Sequence, residues 1–400
     1  MTSSDWIAYV GAFRFPEGEA SSRRVYGVAR SIVEAGFNVV VGSGESEPAT
    51  PSALYSNGVN GRLSFVGIGE RPAKSASHMG KLVRLLATLG KRAVRWLDEQ
   101  PIKPSHVILY GPTAPFLLRL LSWCRRNGVA LVVDVVEWYH PSHMLGGFFG
   151  PFNITYKSAL RVLNPKTDGV IAISSYLEKY YHKHGCRVIR VPPTLDTTQV
   201  TANRAGQNRL DKRLVLAYAG EPGKKDLIDT VIEAILQLDS AGNRIQFCMV
   251  GPTPAEILGL PSLRSRRLSS LPRCIEAVGR QPNDKAMELV KSADFMPLLR
   301  PQQRYAEAGF PTKVPESMAL GTPLICNLTS DLGDYIHDGV EGLVCRDPSV
   351  AAFAEPLERA LVLSPEQRKE MRNAARVQAE CSFDCRVYVQ PLRCFLESVR

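Results

Sequence analysis

Two glycine-rich turns in the second half of the chain set lysines and carboxylates where a phosphorylated sugar could be held. The first reads Tyr218-Ala219-Gly220-Glu221-Pro222-Gly223-Lys224-Lys225-Asp226 and joins a β-rich run to a helical one. Glycine lets the backbone turn sharply and approach a ligand, and a helix start presents unpaired N–H groups to an anion. Lys224 and Lys225 add charge suited to phosphate, although a plain turn with solvated lysines fits the same pattern. The second stretch runs from Arg304 to Ile325. There Gly309-Phe310-Pro311 leads into a helical pattern carrying Lys313 and Glu316, and Gly321-Thr322-Pro323 breaks into a strand. A carboxylate on the first turns of such a helix can accept both hydroxyls of a ribose, while Lys313 and the loop N–H groups hold a diphosphate. Glu316 also suits that turn simply as a favourable N-terminal helix charge.

The first half offers Asp134 and Glu137, in Asp134-Val135-Val136-Glu137-Trp138-Tyr139-His140, at the end of a very apolar run. In a doubly wound sheet, ligands meet the carboxyl ends of strands. Either carboxylate could then position or deprotonate an acceptor hydroxyl, or stabilise positive charge developing on a sugar. Turn capping is the competing explanation. His140 and His143 lie three apart, but the spacing places no third ligand, so no metal is expected. Nine cysteines without a CxxC pair read as reduced, mostly buried thiols.

Short Val/Ile/Leu runs alternate with helical periodicity from end to end. Strands are expected at Trp6–Val10, Asn38–Val41, Arg62–Val66, His106–Tyr110, Val129–Val135, Gly169–Ile173 and Val188–Val191. They recur at Leu214–Tyr218, Ile245–Val250, Ile275–Val278, Ala293–Leu298, Pro323–Cys326 and Gly342–Val344. Continuous apolar runs indicate parallel strands covered on both faces. Four hundred residues suit two domains of roughly 200 each. The expected division is an N-terminal domain 1–195, a polar linker 196–212 and a C-terminal domain 213–382. Each domain is α/β and doubly wound.

Net charge is +10, and residues 1–200 hold 23 Lys/Arg against 14 Asp/Glu. A one-sided basic lobe suits an anionic partner. Lys81–Leu97 reads as one amphipathic helix, with Lys81, Arg84, Lys91, Arg92 and Arg95 on one face and leucines on the other. It fits an anionic membrane surface or an ordinary core-facing helix. No apolar run approaches the ~20 residues of a membrane span, and the N-terminus lacks signal-peptide features. A cytoplasmic protein is expected, peripheral on the inner face of the membrane if that helix meets lipid. Basic residues are not interleaved with stacking aromatics, so nucleic acid is not an expected partner.

The run Ala319-Leu-Gly-Thr-Pro-Leu-Ile325, the Gly223–Asp226 loop, Asp168–Ser175 and the Gly279-Arg280 … Ala293-Asp294 segment together resemble glycosyltransferase family 4. Gly11–Arg30 is similar to the glycine-bearing loop and first helix of that family's acceptor lobe. The resemblance implies a GT-B fold, two Rossmann-like domains facing a cleft, with residues 383–400 packing back on the first. It implies a retaining, metal-independent transferase without a cofactor, moving a sugar from a nucleotide-diphosphate sugar to a saccharide or lipid-linked acceptor. The implied donor contacts are Gly220, Gly223, Lys224, Lys225, Arg280, Gly309, Phe310, Lys313 and Glu316. Arg300 would supply further positive charge. Glu307, one residue off the register of the family's first glutamate, is nearest to the donor-sugar role, and Glu221 stands where an Arg is common. A nucleotide-sugar 2-epimerase keeps the same fold with a different reaction, and a basic nucleic-acid-binding protein is a more distant alternative.

Overall fold

A computed structural model describes residues 6–54, 61–71, 77–144, 146–203, 213–223 and 225–399, apart from the side chains of residues 78, 79, 84 and 143. The chain forms two compact units. The first gathers the residues up to Asp196, Ala308–Phe310 and the C-terminal segment from Asp384; the second holds Thr197–Glu307 and Pro311–Phe383. Of the polar stretch 196–212, residues 204–212 lie outside the described residues.

The first unit is built on β1 (Trp6–Val10), β2 (Asn38–Ser43), β3 (Ser52–Ala53), β4 (Leu63–Gly67), β5 (His106–Tyr110), β6 (Ala130–Val135), β7 (Gly169–Ala172) and β8 (Val188–Arg190). Their order is β3-β4-β2-β1-β5-β6-β7-β8, parallel except for the short edge strand β3. The chain starts in the middle of the sheet, winds outward through β2 and β4, then returns to β5 and winds the other way. Such a reversal opens a crevice beyond the carboxyl ends of the two central strands, β1 and β5. Helix Ala20–Glu34 buries Val25, Val28, Ala29 and Ile32 in the core formed with Ile7, Val39 and Ile108. C-terminal helix Val389–Ser398 buries Leu392 and Leu396 in the same core, and His106 Nε2 lies 2.9 Å from the Leu396 carbonyl.

The second unit holds β9 (Leu214–Ala219), β10 (Ile245–Val250), β11 (Ile275–Ala277), β12 (Met296–Leu298), β13 (Leu324–Asn327) and β14 (Gly342–Cys345). The parallel triplets β11-β10-β9 and β12-β13-β14 are joined by a bridge between Leu216 and Phe295. The reversal recurs here, between β9 and β12. Phe247, Phe295 and Phe353 are fully buried, each burial stabilising the fold by roughly 1.5–3 kcal/mol. Long helix Pro365–Ser382 is fixed by two buried arginines. Arg372 donates to the carbonyls of Asn203, Ala293 and Lys291, and Arg376 to those of Thr197, Val200 and Ala319.

The single helix expected over Lys81–Leu97 is broken into three pieces. His78–Val83 is α-helical, Arg84–Thr88 is π-helical, and Lys91–Asp98 resumes after Gly90. Gly90 has φ +88, a left-handed conformation that no continuous helix accepts. Leu85, Leu89 and Leu97 are buried, so most of the expected apolar stripe belongs to the core. No described helix is long and apolar enough to cross a membrane.

Candidate functional site

At the switch point of the second unit, the loop after β9 and the end of β12 are tied together where Leu227 N donates to Leu299 O at 2.8 Å. A buried polar cluster forms there. Asp226 Oδ2 accepts from Lys313 Nζ at 2.7 Å and from the Tyr218 hydroxyl at 2.6 Å. Lys313 Nζ also reaches Tyr218 Oη at 2.9 Å. Arg300, the second residue after β12, is 6% exposed and brings Nε to 3.6 Å from Asp226 Oδ1. Its Nε and Nη1 are buried without a hydrogen-bond partner. Burial raises the Asp226 pKa, but Lys313 and Arg300, with hydrogen bonds from Lys313 and Tyr218, outweigh it and hold the carboxyl below its ordinary value. Burial, then Asp226, push the Tyr218 hydroxyl well above its ordinary range. One carboxylate thus faces two cations, so the cluster keeps a net positive charge beside unused N–H donors.

The expected donor residues are placed unevenly, and two of them, Gly309 and Phe310, belong to the first unit. Gly220 has φ +120, and a Cβ there would sit 3.0 Å from Lys313 Cε; glycine gives both the turn and the space for the lysine. Gly223 turns with φ +54, and Lys225 is half-buried in the same loop. Lys224 lies outside the described residues. Glu316 is half-buried in the first turn of helix Lys313–Ala319. Gly309 and Phe310 are both buried. Arg280 stands apart: its side chain is 85% exposed and pairs with Glu221 at 3.0 Å. Glu221 therefore meets its cation just beyond β11 and touches the buried cluster only through its charge, which adds to the rise of the Tyr218 hydroxyl. Glu307 is half-buried, and its Oε2 accepts from Ser330 N at 3.0 Å, holding that residue at φ +56. Asp226 and Tyr218 lie in the glycine turn, and sequence reasoning missed the role of both. The polar Asp two residues before an apolar helix was the available signal.

In the first unit, Asp134 is not an acceptor-side carboxylate. It has no solvent exposure, its oxygens accept from Arg24 Nη2 at 2.9 Å and Nε at 3.2 Å, and the Tyr9 hydroxyl donates at 2.5 Å. Arg24 Nη1 completes the arrangement by donating to the Val191 and Pro192 carbonyls, both at 2.6 Å. This buried knot ties helix Ala20–Glu34 to β6 and to the segment after β8. Burial, then Asp134, push the Tyr9 hydroxyl well above its ordinary range.

Beyond β1 and β5, at the predicted crevice, lies a cavity of about 490 Å³. Phe13, Tyr110, Gly111, Tyr139, Phe152 and Tyr156 are among its walls. Glu137 is half-buried and borders it through two of them: its carbonyl accepts from Tyr156 Oη at 2.5 Å, and its carboxylate hydrogen bonds with Tyr139. Burial, then Glu137, raise the Tyr139 pKa well above its ordinary value. Glu19 also lines the cavity and takes both nitrogens of Arg71 at 3.1 and 3.2 Å. That carboxylate was not foreseen, although it falls in the Gly11–Arg30 stretch. His140 Nδ1 is engaged with Ser142 Oγ at 2.8 Å, and among the described residues no group of three His, Cys, Asp or Glu could hold a metal.

Two doubly wound units, one with a cavity and one with a buried polar cluster at its switch point, have the GT-B architecture. Residues 21–199 match the family model described as Glycosyltransferase Family 4, and residues 199–378 match Glycosyl transferases group 1. The two matches adjoin and together span residues 21–378, and the chain is a glycosyltransferase of the family 4 type. No curated protein matches it in sequence. Among solved structures, it is similar to a sucrose-phosphate synthase from Thermosynechococcus elongatus, with a TM-score of 0.75, 16% identity, and 99% and 100% of the two chains covered. The catalytic domain of starch synthase IV from Arabidopsis thaliana, bound to ADP and acarbose, gives 0.71 at 13% identity over 99% and 100%. Anabaena HepE in complex with UDP-glucose gives 0.66 at 14% identity over 98% and 99%.

Proposed function

We propose that the protein is a retaining glycosyltransferase whose second unit holds a nucleoside-diphosphate sugar and whose first unit holds a saccharide or lipid-linked acceptor. The product would serve cell-surface polysaccharide or glycolipid synthesis. Arg300 carries the reading, with two buried guanidinium nitrogens lacking hydrogen-bond partners beside Lys313. In the reaction, the acceptor oxygen bonds to the anomeric carbon on the face from which the diphosphate departs, the bond from that carbon to the diphosphate oxygen breaks, and the acceptor's proton passes to the departing diphosphate. The diphosphate leaves with the electron pair, and charge grows on its oxygens. Preorganised donors in a dry site stabilise that charge most effectively. Arg300 and Lys313 supply the cationic charge, so the proposal needs no metal ion or cofactor. Glu316 is assigned to the ribose hydroxyls, and Glu307 Oε1 to the donor sugar. Of the two expected acceptor-side carboxylates only Glu137 is solvent-accessible, and it is assigned to orient the acceptor hydroxyl. The first-unit cavity favours transfer over 2-epimerisation, because an epimerase needs no acceptor site. HepE, solved with UDP-glucose, illustrates the donor class.

The test is a thermal-shift panel of UDP-, GDP- and ADP-sugars. At a hundredfold excess over Kd, the true donor should raise Tm by on the order of 3 °C. Glu316→Ala should abolish the shift. If no nucleotide sugar stabilises the wild-type chain, the assignment of the second unit fails.

A further inference from the structure

We propose that the first unit carries a docking face for an anionic lipid bilayer, centred on the Phe148–Phe149 turn. Three stretches, 77–97, 111–133 and 138–167, contain five, three and three Lys or Arg and not one Asp or Glu. The fold brings them side by side. Arg119, on helix Ala114–Asn127, donates to the carbonyls of Leu86, Ala87 and Leu89. Leu86, Leu118, Arg126 and Thr155 border one groove of about 670 Å³. Asn153, on helix Pro151–Ser158, donates to the Phe148 carbonyl at 2.6 Å. Lys157 Nζ sits 4.4 Å from the Phe148 ring centre.

Large apolar side chains stand out on this surface. Phe149 is 85% exposed and Phe148 63%, while Leu118, Ile154 and Val162 are each more than half exposed. Phenylalanines in the short 3-10 turn Gly147–Phe149, set among stretches that hold cations and no acids, with exposed Asp98 and Glu99 following the first of them, match the interfacial zone of a bilayer. There aromatic rings enter the acyl boundary and Lys/Arg side chains meet lipid phosphates. A protein partner is less well matched, because protein interfaces deplete charge at their core and mix its sign at their rim. Helix Pro151–Ser158 is shared: Phe152 and Tyr156 line the 490 Å³ cavity, whereas Ile154 is on the exposed side. If that cavity takes the acceptor, as proposed above, a lipid-linked acceptor would reach it from this face.

The experiment is flotation of the full chain with vesicles of phosphatidylglycerol and phosphatidylcholine, and with phosphatidylcholine alone. Wild type should float with the anionic vesicles only. Phe148→Ser with Phe149→Ser, and separately Arg125→Glu with Arg126→Glu, should each lower the partition coefficient about tenfold or more without changing Tm. Arg264→Glu with Lys369→Glu, exposed positions of the second unit, should float like wild type. The proposal is overturned if wild type stays unbound, if it floats equally with neutral lipid, or if the Phe pair can be replaced without loss. The nucleotide-sugar thermal shift, run without lipid, is unaffected by any of these outcomes, so the two readings can fail separately.

Discussion

Each unit holds a buried aspartate, a tyrosine and basic side chains beside its switch point, and the two clusters are finished differently. In the first unit, Asp134, Arg24 and Tyr9 satisfy one another, and Arg24 uses its remaining reach on the Val191 and Pro192 carbonyls. In the second, Asp226 meets Lys313 and Tyr218, but Arg300 keeps two buried nitrogens unbonded. A closed ion pair in low dielectric holds chain segments together. An open one stores an unmet demand for an anion, which is costly unless a ligand meets it. Residue type does not distinguish these roles; the count of satisfied donors does.

Breaking the closed cluster should have the largest effect on folding. Asp134→Ala leaves Arg24 charged, buried and without its carboxylate, and should cost about 3–5 kcal/mol. Urea denaturation would read this directly, and a loss below about 1 kcal/mol would show the knot to be dispensable. Arg300→Met should behave in the opposite way. It should leave stability unchanged or raised while lowering kcat/KM by roughly a hundredfold, about 2.7 kcal/mol of transition-state stabilisation. A variant that loses stability but keeps its rate would make the two clusters alike.

The smallest expected effect concerns pH. The Asp226 carboxyl lies below its ordinary value in the folded protein. Its contribution to stability is therefore complete above the unfolded value, near pH 4, and is lost as pH falls through the folded value. Wild type should lose Tm between about pH 5 and pH 3, and Asp226→Asn should lose measurably less over that window. Identical acid limbs would detach Asp226 from Lys313 and Arg300.

Much of the fold was legible because parallel strands covered on both faces are continuous apolar runs. Trp6–Val10, His106–Tyr110 and Ile245–Val250 have the expected limits. The two-residue strand Ser52–Ala53 is too short to show a period. The strand expected over Ala293–Leu298 begins only at Met296, because Phe295 makes a single bridge. The helix over Lys81–Leu97 failed at Gly90, where periodicity continues through a residue whose left-handed turn only the packed structure reveals. Among site residues, Gly220 and Lys313 were readable from turn chemistry. Asp134 and Glu137 looked equivalent at a strand end, and nothing local separated them.

The sequence by itself determined two doubly wound units, a basic first half and a second half with glycine turns suited to a diphosphate. Those properties are local: periodicity, turn residues and charge are set by neighbours in the chain. Tertiary structure alone decided which carboxylates are closed and which cation is left open. Asp134 meets Arg24 across 110 residues, and Asp226 meets Lys313 across 87. Whether a buried charge is satisfied depends on partners that folding brings from that far away.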